Sequence, residues 1–149
     1  ELTSTIVDFP NVVAVGREKL AEAGMTDRID YVEADATGFD WPGDQDVVLM
    51  SYLLSGVPAE MHAPMFEAAM KVMKPGATLL VHDFIVEADR SGPALTALWQ
   101  LQHTAFTPHA ASLDAGSLAA ALEKAGFADV SVGTMIPEMT MLATAKKPA

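Results

Sequence analysis

The feature that most limits the fold of this chain is a series of four apolar segments, each of which runs into a polar residue. The four segments end at Asp8, Asp35, Ser51 and Asp83. In an open α/β sheet, ligands bind beyond the carboxyl ends of the strands, so side chains at those ends face the ligand crevice. The sequence therefore predicts an α/β fold in which Asp8 and Asp35 hold a nucleotide.

Length and hydrophobicity narrow the class of protein. The chain has 149 residues, of which 50% are hydrophobic, which is the size of one ordinary domain with a substantial core. No apolar run reaches the roughly 20 residues of a membrane-spanning helix. The first residues, Glu1-Leu2-Thr3, carry neither a basic segment nor a cleavage site. We therefore expect a soluble, single-domain protein of the cytoplasm, without a membrane partner.

Charge and cysteine content exclude further classes of function. The formal net charge is −11, and the only basic doublet is Lys146-Lys147, so the chain would repel the phosphates of a nucleic acid. The chain has no cysteine, which excludes disulfides and thiolate ligands. The methionines at 61, 65 and 73 recur at helical spacing and indicate core packing. No His or carboxylate pair has the spacing of metal ligands, so we expect no metal.

Apolar periodicity and turn residues predict alternating strands and helices. We expect strands at residues 2–8, 29–34, 47–50 and 78–81, and helices at 11–23, 58–73, 94 to about 105 and after Asp114. Pro10 opens the first helix and Gly24 ends it. Two final strands, at 130–135 and 140–145, are joined only by residues 136–139. So short a connection cannot hold a crossover helix, so this pair is predicted to be antiparallel at the sheet edge.

A parallel αβ series that ends in an antiparallel hairpin resembles the Rossmann-like sheet of class I methyltransferases. Four segments resemble, in this order, the catalytic domain of the small-molecule O-methyltransferases typified by the caffeic acid, acetylserotonin and bacterial polyketide enzymes. They are TIVDFPNVV at 5–13, DRIDYVEAD at 27–35, KPGATLLV at 74–81 and EKAGF at 123–127. The resemblance covers nearly the whole chain. It implies S-adenosylmethionine as cofactor, S-adenosylhomocysteine as product and a small-molecule acceptor.

By this resemblance, Asp8 accepts hydrogen bonds from the two ribose hydroxyls of the cofactor, which suits the two acceptor oxygens of a carboxylate. Ser51 and Tyr52 would flank the methionine part. The residues alone leave an alternative open for Asp8, which could instead help to cap the helix that Pro10 opens.

The same resemblance places Asp35 at the amino group of the adenine. The backbone of Ala36 and Thr37 would lie near the ring, and Phe9 would pack on its other face. An aspartate that forms a turn after a strand is a common alternative.

One departure from the family concerns the sheet. The chain begins at what the resemblance makes the second strand, so the first strand, its glycine-rich turn and the following helix are absent. Strands 2–8 and 29–34 then have no neighbour that links them to strand 47–50. Each unsatisfied buried backbone group costs about 1–3 kcal/mol. We therefore expect a longer polypeptide with the family's N-terminal dimerisation domain, and hence a homodimer.

A second departure concerns proton transfer. The family usually has Leu-His followed by an acid after the fourth strand, and that histidine deprotonates the acceptor hydroxyl. This chain has Ser55 in place of the histidine, and a serine hydroxyl is not a useful base. Asp83, where the family has an acid that orients the base, is one candidate replacement. His82 adjoins it, but alternation along a strand directs the two side chains to opposite faces.

His103 is the other candidate base. It lies on the helix 94–105, which in this family covers the acceptor pocket, and Trp99 lies one turn earlier on the same face. Histidine titrates near neutral pH and suits general base catalysis. The alternative is a histidine that only packs or lies at the surface. His62 and His109, at a helix start and in a loop, are expected to be solvated.

The predicted function is methyl transfer to an oxygen, nitrogen or carbon of a small molecule, with O-methylation first. A base helps but is not obligatory, because holding the acceptor close to the methyl group supplies much of the rate. A catalytically silent domain that binds the cofactor or serves as a dimer scaffold remains open. A nicotinamide dehydrogenase that uses Asp8 on the ribose is disfavoured by the terminal hairpin.

Overall fold

Strands and helices alternate along the chain as the sequence predicts. The computed structural model describes residues 2–106, 109 and 112–149. The strands are β1 (Ser4–Asp8), β2 (Ile29–Glu33), β3 (Gln45–Ser51), β4 (Met73–Asp83), β5 (Ala128–Ile136) and β6 (Thr140–Lys146). The α-helices are α1 (Pro10–Ala23), α2 (His62–Val72), α3 (Ala94–Phe106) and α4 (Ala115–Lys124). The chain divides into two units, Glu1–Trp41 and Pro42–Ala149.

The first unit is a parallel β-α-β arrangement. β1 pairs with β2 from Ser4 opposite Ile29 to Asp8 opposite Glu33, and α1 connects the two strands. As predicted, α1 begins at Pro10 and ends before Gly24, which adopts a left-handed conformation with φ of 64°. Gly16 allows the helix to approach β2 closely. A Cβ atom built at this position would lie 2.2 Å from the hydroxyl oxygen of Tyr31.

The second unit contains a four-stranded sheet in the order β3-β4-β6-β5. β3 is parallel to β4, whereas β6 is antiparallel to both of its neighbours. The predicted antiparallel pair at the sheet edge is therefore confirmed. β1 and β2 pair only with each other, in a two-stranded sheet of their own.

Most element boundaries lie within two residues of the sequence prediction, and two of the differences have a clear structural basis. β4 begins at Met73 rather than at Thr78, because a bulge opposite β3 includes Lys74-Pro75-Gly76 in the strand. The C-terminal tail favours this extension, since Gly76 N donates to Lys147 O at 2.9 Å. The helix predicted from residue 58 begins as a short 3₁₀ turn at Ala59–Met61. Pro64 lies in the first turn of α2, where its missing N–H is tolerated.

The core of the second unit lies between the sheet and the helices α2 and α4. Phe66 and Met65 of α2, Leu79 of β4 and Leu122 of α4 are buried. Met73 is buried as well, so the interpretation as core residues is confirmed for Met65 and Met73, whereas Met61 is half-buried. Among the helices that the structure describes, none combines the length and apolar character needed to cross a membrane.

A lysine from the C-terminal tail closes the end of α2. The Nζ atom of Lys147 donates to the carbonyl oxygens of Met70 at 2.8 Å and Met73 at 2.7 Å. A cation at the C-terminus of a helix also interacts favourably with the helix dipole. Lys147 therefore joins the C-terminal tail after β6 to the α2–β4 junction.

We expect Lys147→Met to lower the free energy of unfolding by about 1.5–3 kcal/mol, because it removes charge-assisted hydrogen bonds from half-buried carbonyls. Chemical denaturation of the whole protein measures the change. Lys146→Met is the matched control, since Lys146 donates only to the Thr78 hydroxyl at the surface. Equal losses for the two variants would contradict this role of Lys147.

Candidate active site

The two predicted cofactor carboxylates lie at the same edge of the β1–β2 sheet. Asp8 is the last residue of β1, and Asp35 follows the end of β2. The pairing continues beyond the strands, because Ala34 N donates to Asp8 O at 3.1 Å. Parallel strands place their carboxyl ends together, which is where α/β sheets bind ligands.

Asp8 does not cap α1 in the usual way. Its Oδ1 atom accepts a hydrogen bond from the neighbouring Phe9 N at 2.8 Å, whereas the first free amides of the helix, Val12 and Val13, donate to the Phe9 carbonyl. Within the described residues, Oδ2 of Asp8 accepts no hydrogen bond. One carboxylate oxygen is therefore left for a ligand.

Asp35 forms a turn with the residues that follow it. Its Oδ1 atom accepts hydrogen bonds from Thr37 Oγ1 at 2.7 Å and Thr37 N at 2.9 Å, and both lower the pKa of the Asp35 carboxyl. Trp41 Nε1 donates to Ala36 O at 2.9 Å and secures the same turn. The second oxygen of Asp35 has no partner in the described part of the chain. The Phe9 ring, whose packing role was predicted, is 53% exposed.

An aromatic pocket lies in the second unit, at the carboxyl ends of β3 and β4. It encloses about 300 Å³ and is lined by Tyr52, Ser55, Phe84, Trp99 and His103. Phe84 and Trp99 stack with ring centroids 4.4 Å apart and an interplanar angle of 20°. His103 lies against Trp99 at 5.8 Å. The volume is at the lower end of the range for small-molecule sites.

The turn after β3 directs Tyr52 into this pocket. Tyr52 has φ of 51°, a left-handed conformation that is uncommon for a residue other than glycine. Its amide donates to His82 O at 2.8 Å, and its ring lies 5.2 Å from that of Phe84. Backbone strain of this kind is concentrated at ligand sites. Ser51 is exposed and does not line the pocket; its hydroxyl lies 3.5 Å from His82 Nδ1.

Asp83 holds two of the segments that border the pocket. The side chain is fully buried, and its two oxygens accept hydrogen bonds from Ser55 N at 3.0 Å and Phe84 N at 2.8 Å. His82 bonds different groups, with Nε2 2.9 Å from the Thr140 hydroxyl, as the alternation of side chains along a strand predicts. Neither Asp83 nor His82 lines the pocket.

The other histidines differ in environment. Both ring nitrogens of His103 are buried, and neither has a hydrogen-bond partner among the described residues. His62 was expected to be solvated, which is wrong: its ring is half-buried and Nε2 lies 2.9 Å from Leu54 O. The 3₁₀ turn at Leu54–Gly56 brings this carbonyl to the start of α2, a tertiary contact that local pattern does not reveal. His109 is exposed, as predicted.

Two residues of this region were missed by sequence reasoning. Phe84 forms a pocket wall, and its position directly after the strand-end Asp83 is a signal that could have identified it. Gln100 bonds the carbonyl oxygens of Phe84 and Leu113. A glutamine on a helix carries no comparable signal in the sequence.

A profile of the O-methyltransferase domain matches residues 1–128, which is most of the chain. The chain belongs to the O-methyltransferase domain family. The fold agrees with this membership. SibL, an S-adenosylmethionine-dependent methyltransferase in its apo form, superposes with a TM-score of 0.87 at 25% identity, over 99% of this chain and 44% of the SibL chain.

Two further relatives are named as methyltransferases. A 3-hydroxy-5-methyl-1-naphthoate 3-O-methyltransferase of Streptomyces sahachiroi is 34% identical over 100 residues, 67% of this chain and 29% of that enzyme. PigF, an S-adenosyl-L-methionine-dependent methyl transferase of a Serratia strain, is 25% identical over 128 residues, 85% of this chain and 37% of PigF. A structure of PigF with SAH gives a TM-score of 0.85 over 97% of this chain and 43% of that one. The chain spans less than half the length of each.

This O-methyltransferase domain departs from the histidine expected of the family at Ser55. The Ser55 hydroxyl lines the pocket and bonds no described residue, while its amide is held by Asp83. Within residues 2–106, 109 and 112–149, no group of three His, Cys, Asp or Glu side chains is arranged to hold a metal ion.

We expect Thr37→Val to raise the pKa of Asp35, because the Thr37 hydroxyl is the largest cause that lowers it. The backbone bond from residue 37 remains, so the pKa should stay below its ordinary value. A carboxyl titration followed by NMR measures the shift. Thr5→Val, at an exposed position on β1, is the control and should leave the Asp35 titration unchanged. If Thr37→Val also leaves it unchanged, the turn assigned to Asp35 is wrong.

Proposed function

We propose that the protein transfers the methyl group of S-adenosylmethionine to a hydroxyl oxygen of a small planar acceptor. Membership of the O-methyltransferase domain family supports the reaction class. The observation that carries the acceptor class is the aromatic pocket at the ends of β3 and β4. Its stacked Phe84 and Trp99 rings offer flat apolar surfaces of the kind that favour an aromatic ligand.

The residues of the first unit fit the nucleoside part of this cofactor. Asp8 has one free carboxylate oxygen for ribose hydroxyls, and Asp35 has one for the adenine amino group. Ala36 and Thr37 would lie beside the adenine, with the exposed Phe9 ring available to pack against it.

In the second unit, Ser51 and Tyr52 would flank the methionine part of the cofactor. When bound, the cofactor supplies an electrophilic methyl group on a positively charged sulfur. The flat faces of Phe84 and Trp99 would orient the acceptor beside the methyl group. Correct placement of this kind supplies a large part of the rate of a methyl transfer.

Proton removal from the acceptor hydroxyl is assigned to His103. The histidine lines the pocket, and its ring nitrogens have no partner among the described residues. Asp83 is assigned a supporting role in the site rather than the role of the base. Both of its oxygens already accept amide hydrogen bonds, so it holds Ser55 and Phe84 in place.

Because Ser55 stands where a histidine base is expected, it favours a second candidate function. In that case the domain binds the cofactor but is catalytically silent. Calorimetric titration of the whole protein with S-adenosylmethionine, followed by a labelled-methyl assay on a panel of planar phenols, separates the two. Binding with transfer supports the enzyme. Binding without transfer to any phenol supports the silent domain, and no binding defeats both.

We expect Asp8→Asn to weaken binding of S-adenosylmethionine by about 1–1.5 kcal/mol, because a charge-assisted hydrogen bond to the ribose becomes a neutral one. Titration calorimetry measures the affinity. The matched control is Asp30→Asn, at an exposed position on the neighbouring strand β2, which should bind as the unmodified protein does. An unchanged affinity for Asp8→Asn would remove the ribose assignment.

His103→Phe keeps a flat ring in the pocket but cannot take a proton. We expect kcat/KM for a phenolic probe such as 2-naphthol to fall by about 10²–10⁴-fold. His109→Phe, at an exposed position, is the control. A His103→Phe variant that keeps the original kcat/KM would rule out His103 as the base.

The family resemblance also supports a homodimer located in the cytoplasm. Light scattering on the whole protein tests the dimer, and a monomeric mass at micromolar concentration would overturn it.

A further inference from the structure

Gln100 connects α3 to the segments that border the pocket. Its Nε2 atom donates to Phe84 O and to Leu113 O, both at 2.8 Å, and its Oε1 accepts from the Ser112 hydroxyl at 2.6 Å. Both amide hydrogens and the carbonyl oxygen of the side chain are therefore used. A glutamine with all of its hydrogen-bonding groups satisfied is held in one rotamer.

These bonds act on the pocket itself. Phe84 O accepts a hydrogen bond from no other described residue, and the Phe84 ring is one wall of the pocket. On α3, Trp99 immediately precedes Gln100, and His103 follows it by about one turn. Gln100 thus ties the backbone of one wall to the helix that carries the facing wall.

A second bond anchors the same helix at its start. The hydroxyl of the fully buried Thr96 donates to Met139 O in the turn between β5 and β6. Thr96 fixes α3 to the hairpin, whereas Gln100 supplies a hydrogen bond from α3 to the backbone of Phe84. The hydrogen bond from Gln100 and the stack of Trp99 therefore both join α3 to Phe84.

We propose that Gln100 is a positioning residue, which sets Trp99 and His103 against Phe84 and so determines how the acceptor is held. The inference rests on the proposed function for its kinetic effect. The placement of Trp99, however, can be measured without any turnover.

The test uses Gln100→Met in the whole protein, because methionine has a similar length and volume but donates no hydrogen bond. We expect kcat/KM for 2-naphthol to fall roughly ten- to hundredfold, as for other small displacements of a bound reactant. The Kd of S-adenosylmethionine should stay within about twofold of its original value, since Gln100 touches none of the residues assigned to the cofactor.

The second readout is the fluorescence of Trp99 in a Trp41→Phe background. Gln100→Met should shift the emission to longer wavelength and increase quenching by acrylamide, because the stack on Phe84 loosens. Gln100→Glu has the same shape but an ionised carboxylate repels both carbonyls. Its emission should return toward the original value when acid protonates the carboxyl and restores a donor, a reversal that a purely steric role would not give.

Gln102→Met is the matched control. Gln102 is exposed on the same helix and bonds no described residue, so its substitution should change neither readout. If Gln100→Met leaves the Trp99 emission unchanged, or changes it no more than Gln102→Met does, the proposal is wrong. A protein that transfers no methyl group defeats the proposed function, while the fluorescence result still decides the role of Gln100.

Discussion

The arrangement of the second unit depends on the buried carboxyl group of Asp83. A buried polar group of this kind requires hydrogen-bond partners, and Asp83 takes them from two different segments of the chain. The Ser55 amide belongs to the turn after β3, and the Phe84 amide belongs to the segment after β4. Because β3 and β4 are parallel, both segments leave the sheet at the same edge. The carboxyl group thereby fixes two of the five residues that line the pocket.

Much of the fold follows from local pattern. The helix α1 begins and ends where Pro10 and Gly24 predict, and the short link at residues 136–139 requires the antiparallel pair. The extended start of β4 could not be predicted, because it depends on backbone bonds to Lys147, which is distant in the sequence. Local pattern thus predicts the type and order of the elements, while long-range pairing sets some of their limits.

Strand ends and helical spacing made part of the site predictable. Asp8 and Asp35 lie at the expected edge, and Trp99 and His103 share a pocket, as their helical spacing indicates. Sequence reasoning could not show that both oxygens of Asp83 are occupied, since its partners become neighbours only after folding. The hydrogen-bond partners of Gln100 likewise become its neighbours only after folding. Hydrogen bonds from a side chain to a backbone carbonyl produce no periodic pattern in the sequence.

Because Ser55 stands in place of the expected histidine, a different structural element carries the histidine of the pocket. A base on the turn after β3 would be positioned directly by the sheet. The histidine that lines this pocket, His103, is instead carried by α3, and that helix is joined to the strand ends through side-chain bonds from Thr96 and Gln100. Trp99 and the candidate base are therefore carried by the same helix, while Phe84 is carried by the segment after β4. A substitution that weakens the bonds of Thr96 or Gln100 would therefore displace Trp99 and His103 together, whereas a substitution at position 103 changes the histidine alone.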